Sequence, residues 1–492
     1  MKYSYIALMA CFCLLISGCY ERPGNRDTGA SEETTKAIAE NDLTAEVTEN
    51  ASGKLDSSGA ATDEKAVSKG PTKVALYVEN SGSMNGYVNG NTEFKNALGD
   101  LLVLLKFHYG EENIDLFFIN DQIHALDDLG DLTRFASWLN PTTMKVGNTA
   151  SSDLNLVFKK VLEKTDGQTL SLLFSDLIYS IQGSNTEELL GYQKSQTKDA
   201  FLSKSKSGSE LQTSIIQYRS TFNGTYWDKN NQRTELKGAS RPYYLTITGE
   251  ADRVLDLNEN IDLKVAGFVN QLTLTTDDFS EDNYYSVLTS TYNQGRFKPI
   301  RSMSSAKYVR GIEDVEVNER SSAPFSFAVA VDLSRIPVEE SYKVNTANYE
   351  ILDGNYAIDS IMRIEQNDIQ PSDWIRIQEA NATHLFLVEA QGKAFSDLSF
   401  AMKKQLPAWV YESDTKDDTT LEGRKDKTFG FKYLVEGVSE AYETVAKNKE
   451  YYFEVKVPVR KATASNTGKI FVVLVLLAVI GGLVYTYMKR RK

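Results

Sequence analysis

Cysteine is scarce in this chain of 492 residues, and all of it lies close to the N-terminus. The three cysteines are Cys11, Cys13 and Cys19. Cleavage before Cys19 would leave one of them, so no disulfide could form within the processed chain and no cysteine nucleophile could lie in its folded part. Buried apolar area must therefore provide the stability, and a segment of roughly 400 residues is long enough for two hydrophobic cores.

Positive charge and histidine are also in short supply. The formal charge is −13, and apart from the last four residues no basic cluster stands out. We therefore expect no nucleic-acid partner, because neutralising phosphates requires a basic face. The three histidines show no zinc-binding spacing; they are His108, His124 and His384.

The motifs of common enzyme classes are missing as well. There is no phosphate-binding glycine loop and no Gly-x-Gly-x-x-Gly after a strand. Ser83 does not complete a Gly-x-Ser-x-Gly elbow, because Ser81 stands two residues before it. We expect binding rather than catalysis. A hydrolase with its site in the region 257–459 is the enzymatic alternative.

The N-terminus carries an export signal. Lys2 precedes an apolar run over residues 6–16 that stops at Ser17-Gly18-Cys19, which is typical of a secretory signal peptide. Residues 15–19 resemble the lipobox of bacterial lipoproteins. The resemblance implies a signal peptide over 1–18 and a lipid on Cys19. The alternative is an uncleaved apolar anchor.

The C-terminus carries a second membrane signal. Residues 470–488 are uncharged and would span about 30 Å as a helix, the thickness of a hydrocarbon core. The basic tail 489–492 should stay cytoplasmic by the positive-inside rule. We therefore expect a protein of the bacterial cell envelope, held in the inner membrane with most of its chain periplasmic. Whether lipid and helix share that membrane stays open.

Between these ends the composition changes at Val74. Residues 19–72 are rich in Thr, Ser, Ala, Gly and Glu, which predicts a disordered tether. From there, apolar runs typical of buried strands alternate with stretches of helical periodicity. The strand candidates are 74–78, 114–119, 170–174 and 243–247, and the helix candidates are 94–105, 129–139 and 153–164. Residues 73–257 are therefore predicted to form an α/β domain with a doubly wound, mostly parallel sheet.

The following region has a different pattern. Residues 325–333, 382–390 and 451–459 alternate apolar and polar side chains, and one helical stretch interrupts them at 429–445. This pattern predicts a second, strand-rich and sandwich-like domain over 258–462 with at least one helix.

Polar side chains follow the predicted strands where ligands gather in doubly wound sheets. Glu79-Asn80-Ser81-Gly82-Ser83 comes directly after the first strand, and Ser175-Asp176 follows the strand at 170–174. A third polar segment, 149–153, opens a predicted helix. Carboxylate and hydroxyl oxygens are hard ligands, and a spacing of two brings alternate side chains of a loop to one centre. The sequence thus predicts a site for a divalent cation.

These segments resemble the metal-ion-dependent adhesion site of the von Willebrand factor A family. The resemblance covers roughly residues 72–257 and implies that Mg²⁺ or Mn²⁺ binds there. The implied ligands are Glu79, Ser81, Ser83, Ser152 and Asp176. Thr149 is the substitute for Ser152. Two departures stand out, since Glu79 replaces the aspartate of the family and Leu177 replaces the glycine that often follows the second aspartate.

The resemblance also implies a function. In the family the cation leaves an open coordination position that an acidic side chain of a partner protein completes, so we expect a membrane-anchored protein that captures a partner. The first alternative is a metal-free structural scaffold of an envelope complex. Elsewhere, Asp414, Asp417 and Asp418 lack the spacing and the glycine of a calcium-binding loop, so we expect a solvated acidic loop there.

Overall fold

The computed structural model describes residues 71–490 except 128, 151–152, 182, 206–209, 278, 280–283, 317–322, 393–394, 448 and 462–466. The predicted signal peptide, Cys19, nearly all of the predicted tether, and Ser152 lie outside the described residues.

A seven-stranded sheet is the centre of the first part of the chain. Its strands are β1 (Lys73–Glu79), β2 (Ile114–Ile119), β3 (Ile123–Ala125), β4 (Thr169–Ser175), β5 (Leu211–Trp227), β6 (Arg233–Glu250) and β7 (Phe268–Thr275). Their order is β3-β2-β1-β4-β6-β5-β7. Parallel pairing joins β1 to β2 and to β4, and the other neighbours are antiparallel.

The sheet is therefore mixed, which corrects the prediction of a mostly parallel one. The reason is the long hairpin of β5 and β6, which inserts β6 between β4 and β5. Strands joined by a tight turn must run antiparallel, whereas parallel neighbours need a crossover.

Helices cover both faces of this sheet. They are α1 (Asn85–Val88), α2 (Glu93–Tyr109), α3 (Phe135–Trp138), α4 (Leu154–Lys164), α5 (Thr186–Ser205) and α6 (Ala251–Asn260). Successive side chains of β1 point into two different cores. Leu76 shares one core with the apolar face of α2, and Tyr77 shares the other with α4 and α5. The crossovers from β1 to β2 and from β2 to β4 thus pack on opposite faces, as a doubly wound sheet requires.

The helix predicted over 129–139 is much shorter in the structure. A 3₁₀ turn at Leu132–Arg134 leads into the single turn of α3, and the chain leaves the helix at Leu139. Most of the shortening is at the N-terminal side, where Gly130 has a φ of 71° and is therefore not helical.

The second part of the chain is rich in strands, as predicted. These are β8 (Tyr285–Val287), β9 (Arg296–Pro299), β10 (Ile312–Glu316), β11 (Ser326–Val331), β12 (Tyr349–Asp353), β13 (Tyr356–Arg363), β14 (His384–Ala390), β15 (Leu398–Lys403), β16 (Asp414–Thr415), β17 (Thr428–Phe429), β18 (Tyr451–Val457) and β19 (Val459–Lys461). The sheets β13-β14-β11-β8 and β12-β15-β18 share one core, in which the rings of Phe386 and Phe400 lie 4.9 Å apart.

Five helices accompany these strands in the described residues: α7 (Glu340–Lys343), α8 (Pro371–Glu379), α9 (Ala408–Glu412), α10 (Phe431–Val445) and α11 (Thr467–Arg490). Two elements from beyond residue 257 complete the first sheet. Strand β7 is its edge, and α10 packs on one face, where Phe431 stacks on Tyr244 at 4.4 Å and the Tyr442 hydroxyl lies 2.7 Å from Thr213 Oγ1.

Helix α11 contains the predicted span 470–488. In the part of the chain that the structure describes, we find no helix with both the length and the apolar character needed to cross a membrane.

Candidate cation site

The candidate site lies where β1 and β4 end side by side. Val78 of β1 pairs in parallel with Phe174 of β4, so the residues that follow both strands leave the same edge of the sheet. The chain that leaves β1 continues to α2 on one face of the sheet, and the chain that leaves β4 continues to α5 on the opposite face. Such a switch point leaves a crevice at the carboxyl ends of the strands, where doubly wound folds bind their ligands.

The two serines of the motif face each other. Ser81 precedes a 3₁₀ turn at Gly82–Met84, but its side chain makes no capping hydrogen bond to this turn. Instead, Ser81 Oγ lies 3.0 Å from Ser83 Oγ. Ser83 in turn lies close enough to the carboxylate of Asp176, which follows β4 and is buried, to lower the pKa of that carboxyl. Three of the five predicted ligands are therefore brought together.

Glu79 joins the same cluster through Ser175. The Ser175 hydroxyl donates a hydrogen bond to Glu79 Oε2 and accepts one from the backbone N–H of Leu177 at 2.9 Å. Both Glu79 and Ser175 are buried. The longer side chain of Glu79 is thus held by a hydroxyl that sequence reasoning did not single out. The available signal was its position, between the apolar run of β4 and Asp176.

The electrostatics of the site favour a cation. Burial, and next the nearby charge of Glu79, raise the pKa of the Asp176 carboxyl well above its ordinary value. The Ser83 hydroxyl, a hydrogen bond from the Ile178 N–H, and the charge of Arg241 act in the opposite direction. Two carboxylates at one buried point repel each other, so a positive ion between them would relieve the repulsion.

Arg241 is a component of the site that the sequence did not reveal. It lies on β6, is 1 % exposed, and places its guanidinium carbon 4.4 Å from the ring centre of Tyr226. Its Nη1 donates to the carbonyl oxygen of Lys425 at 3.1 Å. An arginine two residues before the strand candidate 243–247 is the only hint that the sequence offers. Its positive charge accompanies the carboxylates of Glu79 and Asp176.

The neighbouring acidic loop is not simply solvated, which corrects the expectation for Asp414, Asp417 and Asp418. Asp418 is buried, and its carboxylate accepts hydrogen bonds from the Tyr226 hydroxyl and the Lys229 N–H at 2.6 and 3.0 Å. Asp417 is half-buried and pairs with Arg424 at 2.9 Å.

The segment that carries Thr149 is held next to the serine turn. Asn80 is buried and donates from Nδ2 to the carbonyl oxygens of Met144 and Val146 at 3.0 and 2.7 Å. The Gly82 N–H donates to the Thr149 carbonyl at 2.9 Å. Thr149 therefore lies beside the motif through its backbone. Asp153 caps α4 by accepting from two backbone N–H groups.

The extended hairpin of β5 and β6 reaches over this region. A Cβ atom at Gly82 would lie 3.3 Å from Trp227 Cη2, and one at Gly86 would lie 2.3 Å from the Phe222 ring. The Phe222 ring of β5 therefore leaves no room for a side chain at Gly86, whereas a side chain at Gly82 would make a tight contact with Trp227.

The known proteins provide no assignment. No family model matches this sequence, and neither the curated proteins nor the solved structures contain a match. In the residues that the structure describes, no group of three or more His, Cys, Asp or Glu side chains is arranged to hold a metal ion. The cluster found here is of another kind, since it combines two carboxylates with serine hydroxyls.

Proposed function

We propose that this protein is a cell-envelope binding protein that captures a partner protein through a divalent cation, Mg²⁺ or Mn²⁺. Glu79, Ser81, Ser83 and Asp176 would hold the ion. The observation that carries the proposal is the meeting of the two serine hydroxyls with the buried carboxylate of Asp176 at the ends of two parallel strands.

The spacing of the donors supports Mg²⁺. Adjacent ligands of an octahedral Mg²⁺ with bonds of 2.0–2.1 Å lie about 2.9 Å apart. The hydroxyl oxygens of Ser81 and Ser83 are 3.0 Å apart, which is close to this spacing. All four donors are hard oxygen ligands of the type that Mg²⁺ and Mn²⁺ prefer.

A bound ion would also explain the mode of capture. By the resemblance to von Willebrand factor A domains, an acidic side chain of the partner would complete the coordination shell. The role of the ion would be to join the two proteins, and no bond-breaking chemistry is assigned to it.

A metal-free scaffold is the second candidate, and Arg241 is the observation that favours it. Its guanidinium is buried beside Asp176 and already supplies one positive charge to the cluster. In that case the cluster would be a structural network, and partners would bind elsewhere on the protein.

The envelope location belongs to the same proposal and rests on the sequence. Residues 6–19 have the pattern of a lipoprotein signal, and residues 470–492 combine an apolar stretch with a basic tail.

Calorimetric titration of the detergent-solubilised full chain with MgCl₂ and MnCl₂ separates the two candidates. We expect saturable binding by the wild type and none by a variant with Ser81→Ala and Ser83→Ala. Ser137→Ala is the matched control, because this exposed hydroxyl bonds only within its own turn in the described structure. Absence of cation binding in the wild type would leave the metal-free scaffold.

A further inference from the structure

A groove runs along the free edge of the seven-stranded sheet and shares no residue with the cation cluster. Strand β7 is the last in the sheet order and pairs only with β5 in the described residues. The groove has a volume of about 1130 Å³. It is lined by β7, by helix α10 and by residues of the segments 338–348 and 404–411.

The main chain of β7 presents hydrogen-bonding groups to this groove. The Thr276 N–H bonds to the Leu211 carbonyl of β5 at 3.0 Å, and in an antiparallel pair every second residue repeats this bond. The intervening residues Gln271, Thr273 and Thr275 therefore point their N–H and C=O groups away from β5. Among the described residues, no main-chain group of another element bonds to them.

The side chains around the groove are acidic and aromatic. Four glutamates line it against two lysines: Glu339, Glu436, Glu440 and Glu443 against Lys194 and Lys404. Lys194 already pairs with Glu440 at 2.6 Å and with Glu436 at 3.9 Å, and Lys198 pairs with Glu440 at 3.4 Å. Three of the glutamates share one face of α10, since they are four and three residues apart. Trp409 and the half-exposed Tyr411 add aromatic rings to the lining.

We propose that this groove binds an extended, basic segment of a partner protein as an eighth strand against β7. The free edge would supply main-chain hydrogen bonds, and alternate side chains of the segment would face the lining. Lysine or arginine at alternate positions complements the acidic face of α10, and the aromatic rings offer cation–π contacts. Unpaired edges are rarely left open in sheets, which supports a dedicated occupant here.

The test is fluorescence anisotropy with the full chain and a labelled octapeptide of alternating lysine and valine. We expect saturable binding that weakens with salt, and no binding of the alternating glutamate and valine peptide. Two further peptides carry N-methyl groups on either the lysine or the valine nitrogens. One of these two should lose about tenfold in affinity, because only one set of N–H groups can face β7. The proposal would be overturned if the lysine–valine peptide did not bind, or if it and its two N-methylated versions bound equally well.

Protein variants give a second arm. Thr273→Pro removes the outward N–H, leaves the main-chain bonds to β5 in place and should weaken binding about tenfold. It also removes the bond between Thr273 Oγ1 and Ser214 Oγ of β5 at 2.9 Å, a loss that Thr273→Val shares. Thr273→Val is the matched control, because it keeps that N–H and should bind like the wild type. Glu436→Gln with Glu443→Gln should weaken binding and reduce its salt dependence, whereas Glu259→Gln on α6 should not. Unchanged binding by Thr273→Pro would contradict strand addition, and if this variant does not fold, the methylated peptides decide.

Discussion

Leu177 has a backbone conformation that side chains rarely adopt. Its φ angle is 49°, and its side chain is fully buried beside Asp176. Left-handed backbone costs a residue with a Cβ atom about 1 kcal/mol. The strain is retained because the turn directs Asp176 and Ser175 to the cluster, and the Leu177 N–H bonds to the Ser175 hydroxyl.

This conformation predicts an unusual order of stabilities. Leu177→Ala and Leu177→Gly both remove the same buried contacts, so both should unfold more easily than the wild type. Glycine normally destabilises a protein relative to alanine, but here it should be more stable than alanine by about 1 kcal/mol. Urea unfolding of the two variants measures the difference. If alanine is the more stable of the two, the left-handed conformation is not present in solution.

The buried carboxyl of Asp176 makes the stability of the folded protein depend on pH. Its pKa is raised in the folded protein, so the folded state holds the proton more tightly than the unfolded state. The stability that Asp176 contributes is then fully present below the ordinary carboxyl pKa of about 4 and is lost as the pH rises through the raised pKa toward neutrality. In the presence of chelator, Asp176→Asn should remove this fall, which we expect to be about 1–3 kcal/mol.

Unfolding of both proteins at pH 4, 5.5, 7 and 8 checks this prediction. Asp131→Asn is a suitable control, because Asp131 is half-exposed and two bonds from Thr133 lower its pKa. If the unfolding free energies of the wild type and of Asp176→Asn change equally between pH 4 and pH 8, the carboxyl of Asp176 does not titrate in this range.

At the scale of elements, the turn after β1 and the hairpin of β5 and β6 fit closely. Phe222 is buried against Gly86, and its ring makes an edge contact with Tyr87 at 4.9 Å. This contact fixes α1 directly after the serine turn, so the hairpin holds the first half of the cation cluster in place.

Gly86→Ala should therefore destabilise the protein by about 1–3 kcal/mol, because the added Cβ atom meets the Phe222 ring. Adding Phe222→Leu to Gly86→Ala should recover part of the loss. Gly191→Ala on α5 is the control, since no atom lies within 4 Å of its added Cβ and alanine favours a helix. Thermal unfolding measures all four proteins. Equal stability of Gly86→Ala and wild type would show that the hairpin does not press on this turn.

At the scale of the whole molecule, local pattern predicted some elements closely and missed others, among them α5 and β5. The bounds of β1, β2, β4 and α4 lie within two residues of those predicted from apolar runs and helical spacing. The antiparallel half of the sheet escaped prediction because β5 has no long apolar run; its buried residues include Gln212, Thr213, Ser214 and Gln217. Strand β7 and helix α10 were not assigned to the first sheet because their pairing and packing join residues that are distant in the chain, beyond the predicted boundary at residue 257.

The candidate site, too, could be predicted only in part from the sequence. Its serines and Asp176 could be found from their positions at strand ends. Ser175 and Arg241 could not be assigned, because the first acts through a hydrogen bond to Glu79 and the second reaches the site from β6. The sequence shows where such residues stand along a strand, but it does not show which groups they reach across the sheet.

Anomalous X-ray diffraction from crystals grown with MnCl₂ tests the central claim most directly. We expect one strong manganese peak about 2.2 Å from the hydroxyl oxygens of Ser81 and Ser83, and in contact with the Asp176 carboxylate or with a water bound to it. A map with no manganese at this point, in which Arg241 binds Asp176 directly, would contradict the claim.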